Sequence, residues 1–177
     1  MQALATVIID GKKVQGAAGA NLLRVARDNG FDIPGLCYHK RISPTGACRL
    51  CMVKVVGTKG FVMSCTLQVE DGLEITAFDE ELELARKKTL EYLLCEHNEA
   101  HDRTYDDEFR ELVARYDLAE LASRSYPKIV DQLGFGRDDS SPVLCYDGSK
   151  CIKCFRCIKA CAEVQGKNVL SFSDRGV

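Results

Sequence analysis

No apolar run in the 177-residue chain approaches the ~20 residues that a membrane-spanning helix needs, so direct membrane insertion is not expected. Charge of one sign is not in excess either. With 24 Lys and Arg against 26 Asp and Glu, the formal net charge is −2, which gives no electrostatic case for nucleic acid or an anionic membrane surface. The opening MQALATVIID has no basic segment before its short apolar run and reads on directly as a strand, not a signal peptide, which points to a cytoplasmic protein. A phosphate loop is missing. Gly134-Phe135-Gly136 is too short for a nucleotide fingerprint and reads as a turn. No nucleophile–base pair or open metal position argues for substrate turnover, so no catalytic site of the chain's own is expected. What the chain does have is cysteine, ten of them.

Eight of the ten fall into two groups. Cys37, Cys48, Cys51 and Cys65 are spaced C-x10-C-x2-C-x13-C, a pattern suited to a [2Fe–2S] cluster. Cys151, Cys154, Cys157 and Cys161 read C-x2-C-x2-C-x3-C, the spacing of a [4Fe–4S] ferredoxin segment. Five disulfides in a secreted protein would be the plain alternative, but thiols two residues apart more often clamp a metal or do redox chemistry. A structural zinc site made of the first four thiolates competes with the cluster. Cys48 and Cys51 reach one side of a cluster from a single tight turn, with Arg49 and Leu50 leaving backbone amides free to point at sulfur. Gly46 lets the backbone come close without a Cβ in the way. His39, two residues beyond Cys37, reads as an exposed loop histidine and not as a gating group.

The spacing of apolar residues and turn signals predicts an α+β chain. Residues 1–78 outline a β-grasp ferredoxin: a strand Leu4 to Ile9, a turn at Asp10-Gly11, a return from Lys12 to Gln15, a helix from Ala20 to Asp28, and strands at Met52 to Val56, Phe61 to Met63 and Leu73 to Ala77. Residues 79–126 read as helical. One helix runs from Glu80 to Leu94, with Leu82, Ala85, Leu90, Leu93 and Leu94 at helical intervals and Glu83 placed to pair with Lys87. A second runs from Asp106 to Ser123, with Phe109, Leu112, Val113 and Tyr116 on one face. Residues 127–142 form a connector, and residues 143–177 a partial ferredoxin-like [4Fe–4S] segment.

Gly46-Ala47-Cys48-Arg49-Leu50-Cys51-Met52-Val53-Lys54-Val55-Val56-Gly57, Ser64-Cys65-Thr66 and Val69-Glu70-Asp71-Gly72 together resemble an iron–sulfur module. It is the N-terminal module shared by the large iron–sulfur subunit of complex I, the diaphorase iron–sulfur subunit of NAD-linked hydrogenases, iron-only hydrogenases and some formate dehydrogenases. The resemblance continues through Ala85-Arg86-Lys87 and Leu93-Leu94-Cys95-Glu96-His97, then from Ser141-Pro142-Val143 to Gly166. It implies a relay of single electrons in an oxidoreductase complex. The implied partners are a flavoprotein subunit using FMN and NAD(P)H and a second redox-active subunit such as a hydrogenase or formate dehydrogenase. A free-standing soluble ferredoxin and a zinc-binding interaction module are the rival readings.

Two features depart from that family. Its middle segment usually carries His-x3-Cys-x2-Cys-x5-Cys for a further [4Fe–4S] cluster. Here His97 is followed by His101, Thr104 and Arg110 at the cysteine positions, and no cysteine lies between Cys95 and Cys145. That cluster is expected to be missing, and a zinc site from Cys95, His97 and His101 would lack a fourth ligand. In the last group the first three thiolates hold one cluster, while the fourth usually ligates another. Relatives carry on where this chain reaches Val177. The fourth ligand is therefore Cys161, Cys145 folding back, or a group from a partner or a removed segment.

Overall fold

The computed structural model describes residues 3–96, 108–123, 137–143 and 145–172. The fold begins with the hairpin that Asp10-Gly11 announces. Strands β1 (Leu4–Ile9) and β2 (Lys12–Ala17) pair antiparallel with Ile9 opposite Lys12. Asp10 and Gly11 both take positive φ, 48° and 76°, as a two-residue turn matched to the strand twist demands. Helix α1 (Leu22–Asp28) starts two residues later than the sequence pattern suggests, because Asn21 caps it by accepting from Arg24 N–H at 3.1 Å. It ends where Gly30 enters the left-handed region, with Gly30 N–H on Arg27 O and Phe31 N–H on Ala26 O.

Strands β3 (Met52–Val55), β4 (Val62–Met63) and β5 (Glu74–Thr76) complete a mixed sheet in the order β2-β1-β5-β3-β4. The β1–β5 pair is parallel and the others are antiparallel. Leu22, Leu23, Val25 and Ala26 of α1 close one core against Val7, Ile9, Val14, Val53 and Ile75 of the sheet. Gly16 permits the close approach: a Cβ there would lie 2.8 Å from Val25 Cγ1.

Helix α2 (Glu80–Glu96) is capped by Asp79, whose carboxylate accepts from Leu82 N–H at 2.8 Å. Its buried stripe is Leu82, Arg86, Leu90 and Leu94, four residues apart. The expected stripe contained Ala85 and Leu93 but not the arginine; both are only partly buried. Glu83 pairs with Arg86 instead of the expected Lys87. The single helix expected over 106–123 is two within the described residues, α3 (Glu108–Arg115) and α4 (Ala119–Ser123). Asp117 breaks it at φ 54°, with Asp117 N–H on Ala114 O and Leu118 N–H on Val113 O. This is the hydrogen-bonding of a glycine-type helix stop, made here by an aspartate.

Phe109, Leu112 and Val113 of α3 join Leu90 and Leu94 of α2, Tyr116 and Leu118 in a second core that also takes in Leu36 and Leu50. In the C-terminal part, β6 (Arg137–Asp138) pairs antiparallel with β7 (Tyr146–Asp147), so the expected connector supplies one strand of a small two-stranded sheet. Helix α5 (Arg156–Lys159) then runs into a π-helical turn over Ala160–Val164. Gly134-Phe135-Gly136, His97, His101, Thr104 and Val177 lie outside the described residues.

Candidate metal centre

All ten cysteines are free thiols. Cys37, Cys48, Cys51 and Cys65 come from a loop ahead of β3, from the turn that leads into β3 and from the 3-10 turn Ser64–Thr66, and all four are buried. They sit where the two cores meet. Cys51 and Cys65 belong to the sheet core, Cys37 and Cys48 to the helical one. The thiols touch in a chain of pairs, Cys48 with Cys37, Cys37 with Cys65, and Cys65 with Cys51.

That proximity governs their protons. Hydrogen bonds from the Cys48 and Cys65 thiols hold Cys37 far below the ordinary thiol range. Cys48 is pushed up, first because its proton serves Cys37 and then by burial; Cys65 is pushed up by Cys37 and Cys51. Cys51 is lowered to about 7, chiefly by the Cys65 thiol. Four buried thiols at contact distance cannot all ionise unless a cation shares the space. A two-iron cluster meets that need with two thiolates at each iron. Among the described residues, no three His, Cys, Asp or Glu side chains are arranged to hold a single metal ion.

The surrounding backbone is arranged toward sulfur. Leu36 N–H donates to Cys48 Sγ at 3.3 Å. Arg49, between Cys48 and Cys51, takes φ 55°, and Gly46 takes φ 65°. At Gly46 the requirement is the turn itself, since a Cβ would meet only ordinary contacts with Thr66 and Met63. Cys51 O accepts from Ser64 N–H at 3.0 Å and Ser64 Oγ at 2.8 Å, and Cys65 O accepts from Asn21 Nδ2 at 2.6 Å. Thr45 Oγ1 is buried without a hydrogen-bond partner of ordinary geometry, although it favours the Cys37 thiolate. A buried donor left over beside these thiols fits a group with further sulfur acceptors.

The second group is more open. Cys151 and Cys154 are half-buried, Cys157 is exposed and Cys161 is buried in the π-helical turn. Burial, joined by repulsion from Cys157 and Cys151, raises Cys154, which places the first three in electrostatic reach of one another. Lys153 N–H donates to Cys151 Sγ at 3.4 Å. Lys153 and Phe155 both adopt left-handed backbone, at φ 55° and 64°, inside the two C-x2-C turns. Two non-glycine residues in that region cost roughly 1–2 kcal/mol each, a strain of the kind found at functional loops. Cys145 is exposed just ahead of β7.

This segment rests on the first site. Ile152 and Cys154 pack against the core that contains Cys37 and Cys48. Arg156, between Cys154 and Cys157, donates to Tyr38 O at 2.8 Å, next to Cys37, and pairs with Glu108 at 2.7 Å. Lys159 donates to Ser43 O at 3.0 Å, and Glu163 accepts from Ser43 N–H at 2.5 Å. None of these contacts was visible in the spacing of cysteines. His39 is exposed and its Nδ1 accepts from Arg41 N–H at 3.3 Å, as a loop residue would. Of the degenerate middle motif, Arg110 lies on α3 and Cys95 is exposed near the end of α2.

A mixed sheet with one helix across it and four buried thiols at its edge defines an iron–sulfur protein of the ferredoxin-like class. Residues 2–79 match the family described as "2Fe-2S iron-sulfur cluster binding domain". Over 98% of its length it is 31% identical to the NADPH-Fe(3+) oxidoreductase subunit alpha of Geobacter sulfurreducens, covering 20% of that protein. The NADH-ubiquinone oxidoreductase 75 kDa subunit of Reclinomonas americana shares 30% identity over 98% of the chain and 25% of the relative. The chain thus spans about a fifth to a quarter of the length of these curated relatives. Among solved structures, a chain of the NAD+-reducing [NiFe]-hydrogenase in the H2-reduced state matches with a TM-score of 0.84 and 28% identity. That match covers 98% of this chain and 72% of that one.

Proposed function

We propose that the chain is an iron–sulfur electron-transfer module of a multi-subunit, NAD(P)-linked oxidoreductase. Cys37, Cys48, Cys51 and Cys65 would hold a [2Fe–2S] cluster in a β-grasp unit spanning residues 1–78. Cys151, Cys154 and Cys157, with Cys161 or Cys145 as the fourth ligand, would hold a [4Fe–4S] cluster in residues 143–177. Residues 79–126 form the helical segment that has lost its own cluster motif, and 127–142 the connector. The observation that carries the reading is the burial and mutual contact of the first four thiols at the seam of two cores.

Such clusters, when bound, accept and release single electrons, and the redox chemistry is theirs. The chain's own residues gather the thiolates, exclude water with Leu36, Leu50 and Val53, and aim backbone N–H groups at sulfur. The names of the relatives support redox partners linked to a nicotinamide cofactor; in this reading one would be a flavoprotein subunit using FMN and NAD(P)H and the other a second redox subunit. Among the described residues no helix is long and apolar enough to cross a membrane, and a cytoplasmic location fits the reading.

Anaerobic iron and sulfide counting with low-temperature EPR of the reduced chain tests the proposal. One [2Fe–2S] and one [4Fe–4S] signal are expected, with none from a His-ligated middle centre. Cys48→Ser removes or alters the first signal and spares the second, and Cys154→Ser does the reverse. Zinc without acid-labile sulfide in anaerobically prepared protein would refute the assignment.

A further inference from the structure

Arg86 is wholly buried in the middle of the apolar stripe of α2. Moving a guanidinium out of water is costly unless its donors and its charge are matched, and here the matching is directed at one place. Arg86 Nε donates to Leu50 O at 3.1 Å, and Nη2 donates to Met52 O and to Ala77 O, both at 2.7 Å. Nη1 pairs with Glu83, and the guanidinium carbon lies 5.2 Å from the centre of the Phe78 ring.

Leu50 and Met52 are the two neighbours of Cys51. Their carbonyls are held by Arg86, while the carbonyl of Cys51 itself is held by Ser64 N–H and Oγ. Three consecutive peptide planes are fixed in this way. In a trans peptide the N–H points opposite the carbonyl. With Leu50 O drawn to Arg86, the Cys51 N–H is therefore turned away from the guanidinium. An ordinary helix-to-loop tie would need one such contact, and a neutral side chain would suffice.

We infer that Arg86 is a positioning residue for the [2Fe–2S] site: it locks the backbone around Cys51 and supplies a buried positive charge that favours the reduced cluster, with Glu83 setting how much of that charge is felt. The inference rests on the [2Fe–2S] reading of the four thiols. Reduction adds one negative charge to the cluster. A fixed cation near Cys51 stabilises that state, and removing the cation's own counter-charge stabilises it further.

The test is anaerobic redox titration of the full chain with dithionite, followed by EPR of the [2Fe–2S] signal, for wild type, Arg86→Gln, Arg86→Lys and Glu83→Gln. Arg86→Gln is expected to weaken reduction at least tenfold, about 59 mV more negative for a one-electron couple. Glu83→Gln is expected to shift the potential in the opposite sense. Arg86→Lys, which keeps the charge but replaces the planar fork that reaches Leu50 O, Met52 O and Ala77 O with a single compact ammonium, should restore most of the potential while its EPR g-values still differ from wild type. Should Arg86→Gln fail to fold, Glu83→Gln and Arg86→Lys decide the matter. Unchanged potential and g-values in the variants that load cluster would overturn the role of Arg86. Absence of any [2Fe–2S] signal in the wild type would overturn the cluster reading itself, and the inference with it.

Discussion

Gly16→Ala is the substitution for which the geometry fixes both the sign and the origin of the effect. A Cβ at Gly16 would sit 2.8 Å from Val25 Cγ1, 3.0 Å from Cγ2 and 3.5 Å from Val25 Cβ. Carbon atoms prefer about 3.5–4.0 Å, so the overlap with Cγ1 is at least about 0.7 Å. Val25 is buried on α1 and, being β-branched, has essentially one χ1 rotamer in a helix. It cannot swing aside, and α1 must back away from β2. Overpacking of this kind costs about 1–3 kcal/mol, against which the loss of glycine's freedom in the unfolded chain returns about 0.4–1 kcal/mol. The net expectation is a loss of about 1–2 kcal/mol.

Val25→Ala alone removes two buried methyl groups and costs about 2 kcal/mol, counting transfer and cavity together. In the double variant the new methyl at 16 enters the space that Val25 vacates, so the pair should be less destabilised than the sum by about 1 kcal/mol or more. Gly35→Ala serves as the contrast. There a Cβ would meet Arg27 Nη2 at 3.3 Å, Cys51 Cβ at 3.6 Å and Leu23 Cδ2 at 3.7 Å. Only the end of a flexible side chain has to yield, and the cost should stay below about 1 kcal/mol. Anaerobic urea unfolding of the cluster-loaded chain, followed by far-UV circular dichroism and visible absorbance together, measures all four variants. A Gly16→Ala midpoint equal to wild type, or strict additivity with Val25→Ala, would refute the packing argument.

Two further outcomes follow from the charged contacts. Asp79 is held below the usual carboxylate range, first by Lys54 at 2.7 Å and then by Leu82 N–H. A carboxyl depressed by folding contributes stability above its unfolded pKa of about 3.9, and that contribution disappears as pH falls through the folded value. Asp79→Asn keeps the helix cap, and Lys54 keeps Glu81 at 2.6 Å. Its deficit should therefore be at most about 1 kcal/mol at pH 7 and shrink progressively once pH falls below the unfolded carboxyl value of about 3.9; thermal melts of both proteins across that range check it. Arg156→Ala removes the tie to Tyr38 O and the pair with Glu108. Hydrogen exchange over residues 156–164 should rise while that of β1 and β2 is unchanged; equal protection in the variant would show that the segment is held by other means.

The parts of the fold that could be read from sequence are those where one residue type is forced. Asp10-Gly11 requires a tight hairpin, and the hairpin is there, with Ile9 opposite Lys12. The thiol spacing of the first group named four residues that the fold does bring into contact. The misreadings arose where a residue acts against its type. Arg86 lies on the buried face of α2 because distant carbonyls receive it, and helical periodicity, which counts arginine as polar, moved the apolar stripe to Ala85. Asp117 stops α3 in a conformation usually left to glycine, and neither it nor Tyr116 carries a breaker signal. Glu83 pairs with Arg86 and not Lys87 because the fully buried cation gains more from a partner than the half-buried one.

The docking of the second cysteine group has a consequence for the lost middle motif. After His97, the residues His101, Thr104 and Arg110 stand where the resemblance would place three cysteines. Here α3, which begins just before Arg110, instead contributes Phe109, Leu112 and Val113 to the core that covers Cys37 and Cys48, and Glu108 at its start binds Arg156. Helix α3 thus touches both cysteine groups, the first through its apolar face and the second through Glu108. Arg156 contacts the carbonyl beside Cys37 from a position between Cys154 and Cys157, and Ile152 and Cys154 enter the same core.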